Sequence, residues 1–283
     1  MKKFRFRNGE FILNGKGLIM GILNVTPDYF SDGGEFLNAE DAISHAKKML
    51  SDGADIIDVG AMSTRPGSEP ISWQEEIRRL EPVLKELCGI DKTVISVDTI
   101  NPETADFALS MGVHIINDVS GCFNNDMATV VKKYRAGWIM THTGAVPSGS
   151  VVDYPDGVVN AVNEFFDGFL CDCEKNGISQ DYICIDPGFG FAKTTDDNIE
   201  LLKNLEKTIR PNGAFLVALS RKRFIGDITD TPEAGERLAS PLTADIIALM
   251  KGADLLRVHD VKETRQSIAI YNSIYNKGTT IYG

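Results

Sequence analysis

G-I-L-N-V-T-P-D-Y-F-S-D-G-G, from Gly21 to Gly34, joins the end of an apolar run to a polar loop. The run Leu18 to Leu23 breaks off at Asn24, and the loop is punctuated by Pro27, Gly33 and Gly34. An apolar run this short, bounded by turn residues, predicts a strand buried on both faces. Strands of that kind belong to parallel sheets covered by helices, so a helix should follow before the next strand. The loop also carries Asp28, Asp32 and the aromatic Phe30, which is more chemistry than a connector needs.

The same pattern, apolar strand then polar tip, recurs down the chain. Strands are predicted at Ala54–Val59, Thr93–Val97, Val113–Ile116, Gly137–Met140, Tyr182–Ile185, Phe215–Leu219 and Asp254–Leu256. Between them, helical spacing or boundary signals predict helices over Asn38–Asp52, Trp73–Leu87, Pro102–Met111, Asp126–Tyr134, a long segment ending at Asn176, Asp197–Ile209, Ala234–Met250 and Val261–Tyr275. A polar loop, Gly144 to Tyr154, precedes the long helix. Alternating strands and helices in about eight units predict a single (β/α)₈ barrel domain over residues 1–283. Phe4–Leu13 alternates apolar and charged residues around Asn8-Gly9, which predicts an N-terminal hairpin (1–14, type I′ turn) ahead of the barrel proper (15–283). In such barrels the site lies at the carboxyl ends of the strands. The tips are Asn24, Asp58, Asp98, Asn117, His142, Asp186, Lys222, and Arg257 with His259.

A hydrophobic content of 43% in 283 residues is enough for a large core, and a net charge of −11 argues against nucleic acid or an anionic membrane as partner. Five cysteines without framework spacing imply reduced thiols, and the basic, core-less start of the chain is no signal peptide, so a cytoplasmic protein is expected.

Four long stretches together resemble the dihydropteroate synthase family of pterin-binding enzymes: Met20–Gly34, S-T-R-P-G at Ser63–Gly67, D-P-G-F-G-F-A-K-T at Asp186–Thr194, and S-R-K at Ser220–Lys222. S-V-D-T (Ser96–Thr99), I-I-N-D-V-S-G (Ile115–Gly121) and R-V-H-D (Arg257–Asp260) fit as well. The resemblance implies condensation of 6-hydroxymethyl-7,8-dihydropterin diphosphate with p-aminobenzoate and release of pyrophosphate. It assigns the pterin to Asp98, Asn117, Asp186, Lys222 and a stacking Phe191. A pterin's 2-amino-4-oxo edge presents adjacent donors that one carboxylate accepts together. The diphosphate falls to Asn24, Arg65, Arg257 and His259, with Mg²⁺ as cofactor on Asn24. The p-aminobenzoate falls to Phe30, Thr64, Pro66, Lys222 and Arg223, and direct roles in catalysis to Asp32, Arg65 and Lys222. A homodimer and competition by sulfonamides are further implications. Lys193 and Ser220 lie near the site in either a functional or a structural role, whereas His45 and His114 read as surface or packing residues.

The chain departs from the family pattern at Tyr29, Met62, Thr141, Thr143, Ala218 and Arg223. None of these deletes a polar partner of the pterin or the diphosphate. Two rival readings keep the barrel: a pterin-binding methyltransferase of the methyltetrahydrofolate–corrinoid type, and a non-catalytic pterin-binding paralogue. The first retains Asp98, Asn117 and Asp186 but has no use for Arg65, S-R-K or R-V-H-D.

Overall fold

The computed structural model describes residues 1–25, 35–62, 71–144 and 150–275. Eight parallel strands close into a barrel: β3 (Leu18–Asn24), β4 (Ile56–Gly60), β5 (Val94–Asp98), β6 (Ile115–Asp118), β7 (Gly137–Thr141), β8 (Ile183–Asp186), β9 (Ala214–Val217) and β10 (Leu255–Val258), with β10 pairing back onto β3. The helices are α1 (Glu35–Ser51), α2 (Trp73–Leu87), α3 (Pro102–Met111), α4 (Asn125–Tyr134), α5 (Val158–Lys175), α6 (Thr195–Lys203), α7 (Arg223–Thr229), α8 (Ala239–Met250) and α9 (Val261–Tyr275). Between barrel and helices lies the main apolar layer, including Leu23, Leu80, Val97, Trp138, Phe166 and Phe215.

The N-terminal hairpin, β1 (Lys3–Phe6) and β2 (Gly9–Ile12), stoppers the amino end of the barrel. Phe4 and Phe6 pack with the inward side chains Met20, Ile56, Ile115, Ile139, Leu216 and Leu255, so the lower barrel is solid. Arg5 and Lys2 anchor the hairpin through Asp181 at 3.2 Å and Asp254 at 2.5 Å. The expected type I′ turn is not formed. The loop residues are Arg7 and Asn8, of which Asn8 alone has positive φ (63°), and a type I′ turn needs both.

Gly137 begins β7 where the hairpin presses closest. A Cβ there would lie 2.8 Å from Phe4 Cζ and 3.2 Å from the Arg5 carbonyl oxygen. Gly137→Ala should therefore lower stability by about 1–3 kcal/mol through overpacking, with turnover unchanged because the site is at the other end. Urea unfolding checks this; an unaltered midpoint would mean that the hairpin does not bear on the barrel.

Several strands run further than expected. β5, β6 and β10 take in Asp98, Asn117 and Arg257 respectively, past the expected ends at Val97, Ile116 and Leu256, because these polar groups and Asp58 satisfy one another inside the barrel and need no loop to reach solvent. The single helix expected over Ala234–Met250 is instead a short 3₁₀ turn, Ala234–Glu236, followed by α8, and α7 precedes them, starting directly after Lys222. The guanidinium of Arg237 takes the carbonyls of Arg221, Lys222, Thr231 and Pro232, the residues that flank α7, which pins this arginine and interrupts the helix between the 3₁₀ turn and α8. α6 starts earlier than expected because Thr194 and Asp197 form a reciprocal capping box, and it stops at Lys203.

Candidate active site

Strand alternation puts Ile56, Asp58 and Gly60 of β4, Val94, Ser96 and Asp98 of β5, Ile115 and Asn117 of β6, and Leu255 and Arg257 of β10 on the inward face. The upper part of this interior is polar. Arg257 donates through Nε to Asp58 Oδ2 at 2.7 Å and through Nη2 to Asp98 Oδ2 at 2.9 Å. Asn117 Nδ2 donates to the same Asp58 oxygen at 3.0 Å. One guanidinium thus bridges two buried carboxylates and, through Asp58, orients the Asn117 amide. Burial raises the Asp98 pKa to about 7; Arg257 opposes the rise, while Asp58, Glu76 and Asp118 add to it.

Asp186 ends β8, next to this group. Its Oδ1 accepts the Gly188 N–H at 2.8 Å. Burial pushes its carboxyl up, against the pull of that N–H and of Lys222, Arg257 and Lys193. Lys222 faces it from the start of α7. Burial lowers the lysine to about 8, with Asp186 and Asp98 working the other way. Its ammonium rests 4.6 Å from the centre of the Phe191 ring. The loop between them can pass only as glycine: at Gly188 (φ 70°) a Cβ would lie 2.0 Å from the His142 carbonyl oxygen.

Asn24 ends β3 beside Gly60, half-buried. Across the barrel mouth, Ser220 Oγ lies 3.1 Å from His259 Nδ1, and Arg221 pairs with Asp260 at 2.8 Å. Arg223, the first residue of α7, is exposed and only 3.9 Å from Asp227 on its own helix. Asp28, Phe30, Asp32, Thr64, Arg65 and Pro66 lie outside the described residues, as does the departure Tyr29.

Two residues of this network were given no role by the sequence reading, which named Asp58 only as a strand tip and Arg237 not at all. Asp58 had a legible signal, since I-I-D-V-G places it on the face of Ile56 and Gly60. Arg237 had none: its role depends on four carbonyls of other turns. Lys193 is buried, and its ammonium meets His142 Nδ1 at 3.0 Å and the carbonyls of Gly188, Phe191 and His142 at 2.9, 3.1 and 3.2 Å. It therefore ties the loop after β8 to the end of β7. His114 is a packing residue, accepting the Ile95 N–H at 3.2 Å and lying edge-on to Phe6, and His45 is exposed.

His142 is held neutral: burial, then Lys193, lowers it from 6.5 to about 3. The unfolded chain therefore binds a proton between pH 6.5 and 3 that the folded chain refuses, so this contribution to stability is lost as pH falls through that window. His142→Asn should flatten the decline of the urea midpoint between pH 7 and pH 5 relative to the parent. Equal slopes would contradict a neutral buried imidazole.

Carboxylates, an amide, a guanidinium and an ammonium gathered over a solid lower core define a (β/α)₈-barrel enzyme that binds a flat polar heterocycle at the carboxyl ends of its strands. The comparisons agree with that class. The sequence profile described as "Pterin binding enzyme" matches residues 20–259. A dihydropteroate synthase of Synechocystis sp. is 39% identical over 260 residues, covering 91% of this chain and 90% of its own length. Among solved structures, a Xanthomonas albilineans dihydropteroate synthase with 4-aminobenzoic acid superposes with a TM-score of 0.88 at 36% identity, covering 95% of this chain and 96% of its own. A Yersinia pestis dihydropteroate synthase in a sulfonamide drug complex reaches a TM-score of 0.89 at 34% identity, covering 97% and 99%. The chain belongs to the dihydropteroate synthase family of pterin-binding enzymes.

Proposed function

We propose that this chain condenses 6-hydroxymethyl-7,8-dihydropterin diphosphate with p-aminobenzoate, giving 7,8-dihydropteroate and pyrophosphate. The observation that carries the reading is the joined set Asp58–Arg257–Asp98 with Asn117, set beside Asp186 and Lys222, in a chain of this family. Asp186 accepts the adjacent donors of the 2-amino-4-oxo edge with its two oxygens, Oδ1 keeping a second lone pair beside the Gly188 N–H, while the Asn117 carboxamide and Asp98 meet other ring positions. Lys222 donates to the ring's acceptors, and Phe191 supplies a flat face to stack upon. Breaking the bond to the diphosphate leaves positive charge on the pterin methylene and negative charge on the departing oxygen. On this reading carboxylates take the ring, and Asn24, Arg257, His259 and Arg65 take the phosphates, each charge opposite its complement. The arylamine nitrogen is already nucleophilic and sheds its proton after attack.

We assign the p-aminobenzoate to the rim at Lys222 and Arg223, closed by Phe30, Thr64 and Pro66, with Asp32 and Arg65 completing the catalytic group. Asn24 offers one neutral oxygen on the barrel rim, and among the described residues no three His, Cys, Asp or Glu groups converge to hold a metal. That donor set fits Mg²⁺ only as an ion carried in by phosphate oxygens and water. When bound, Mg²⁺ would neutralise diphosphate charge. We also propose a cytoplasmic homodimer. The five thiols are free, and Met250, Ile270 and Ile274 are exposed on the packed helices α8 and α9, an apolar face for a second copy.

Pyrophosphate release tests the reading. It should require both substrates and Mg²⁺, and a sulfonamide should compete with p-aminobenzoate. Pterin binding without pyrophosphate release would favour a methyl-transferring or sensing relative instead.

A further inference from the structure

The tips of β9 and β10 are tied twice, Ser220 to His259 and Arg221 to Asp260. Arg221 takes a left-handed backbone (φ 59°) between Ser220 and Lys222, so its guanidinium reaches Asp260 while the Ser220 hydroxyl stays against the imidazole. That hydroxyl is buried and does two things. Its oxygen accepts the His259 backbone N–H at 3.3 Å, and it lies 3.1 Å from His259 Nδ1. Among the described residues Nδ1 is the one acceptor in reach of the hydroxyl proton. Were Nδ1 the protonated nitrogen, the serine oxygen would face two donors and its own hydrogen would point at nothing, an arrangement buried groups avoid.

We propose that Ser220 is a positioning residue that fixes His259 as the Nε2-protonated tautomer, so that a neutral N–H donor is presented to the departing diphosphate. This inference rests on the diphosphate reading of His259 given above. Among the described residues nothing engages Nε2, which leaves that N–H for a ligand. No bond to His259 forms or breaks: the ring donates a hydrogen bond that strengthens as the leaving oxygen gains charge. The opposite tautomer would aim a lone pair at the phosphates and repel them. Neutrality has its own support, since burial and the cations Arg221, Arg257 and Lys222 hold the ring at about 3 against the opposing pull of Asp260.

Long-range ¹H–¹⁵N correlation spectra of the ¹⁵N-histidine-labelled full chain read the tautomer directly. His259 should show a bare Nδ1 and a protonated Nε2 from pH 6 to 8, and the Ser220→Ala spectrum should show a mixture. Ser220→Ala should lower kcat/KM for the pterin diphosphate about tenfold. Its KM for p-aminobenzoate, and its affinity for diphosphate-free 6-hydroxymethylpterin, should stay within about twofold of the parent, and Ser220→Thr should restore most of the loss. An Nδ1-protonated His259 in the parent would overturn the proposal even if the alanine variant fails to fold. So would full activity in Ser220→Ala. A parent that releases no pyrophosphate from the two substrates would overturn the functional reading itself, which the spectra do not depend on.

Discussion

Arg257→Leu should be the most damaging single change in the barrel, lowering stability by about 3–5 kcal/mol at pH 8 and turnover by about 10²–10³-fold. The guanidinium is the shared counter-charge of Asp58, fully buried, and Asp98, whose side chain is 11% exposed. Leucine would leave two carboxylates facing each other in a closed interior. The loss should also depend on pH in a definite direction. Asp98 already has a folded pKa of about 7, raised from 3.8, so its favourable contribution is present below pH 3.8 and fades as pH rises through 7. Without Arg257 that pKa moves higher still, because the influence holding it down is gone. The variant should therefore lag the parent less at pH 6 than at pH 8. Urea unfolding at the two pH values measures this; a uniform deficit, or none, would contradict the bridging role.

Lys222→Ala should weaken binding of the pterin diphosphate by about 10–100-fold, the worth of one hydrogen bond involving a charged group, while the fold persists. The lysine sits among Asp186, Asp98 and the Phe191 ring without a direct ion pair to either carboxylate, so its removal chiefly takes away a donor to the heterocycle. Its backbone is secured independently by Arg237, whose Nη1 donates to the Lys222 carbonyl at 3.1 Å. The loop should thus keep its place and the melting temperature should change little. Calorimetry giving the parent's affinity would remove Lys222 from the pterin seat.

The sequence showed most clearly what local chemistry determines. Runs such as Leu18–Leu23 and Phe215–Leu219 stand out because a strand buried on both faces has no room for polar residues. Asp98 and Asp186 were visible because each interrupts such a run where side chains leave the apolar layer. The pairing between Asp58 and Arg257 was not, for it spans 199 positions and leaves no local trace. The helix expected across Ala234–Glu236 failed for a similar reason. Its helical spacing is real, but Arg237 finds better acceptors in the carbonyls of Arg221 and Lys222, 16 and 15 positions back on the other side of α7. Arg257 was assigned to the diphosphate, and the sequence held no sign that two of its nitrogens are engaged by carboxylates. Any phosphate it holds must share it with Asp58 and Asp98.

A crystal structure of the chain with 6-hydroxymethylpterin diphosphate bound tests the account most directly. The pterin should lie flat at the carboxyl end of the barrel, its amino-oxo edge against Asp186 and Asn117, Lys222 on its acceptors, and its phosphates toward Arg257 and His259. A pterin bound elsewhere, or inverted so that its phosphates meet Asp186, would contradict it.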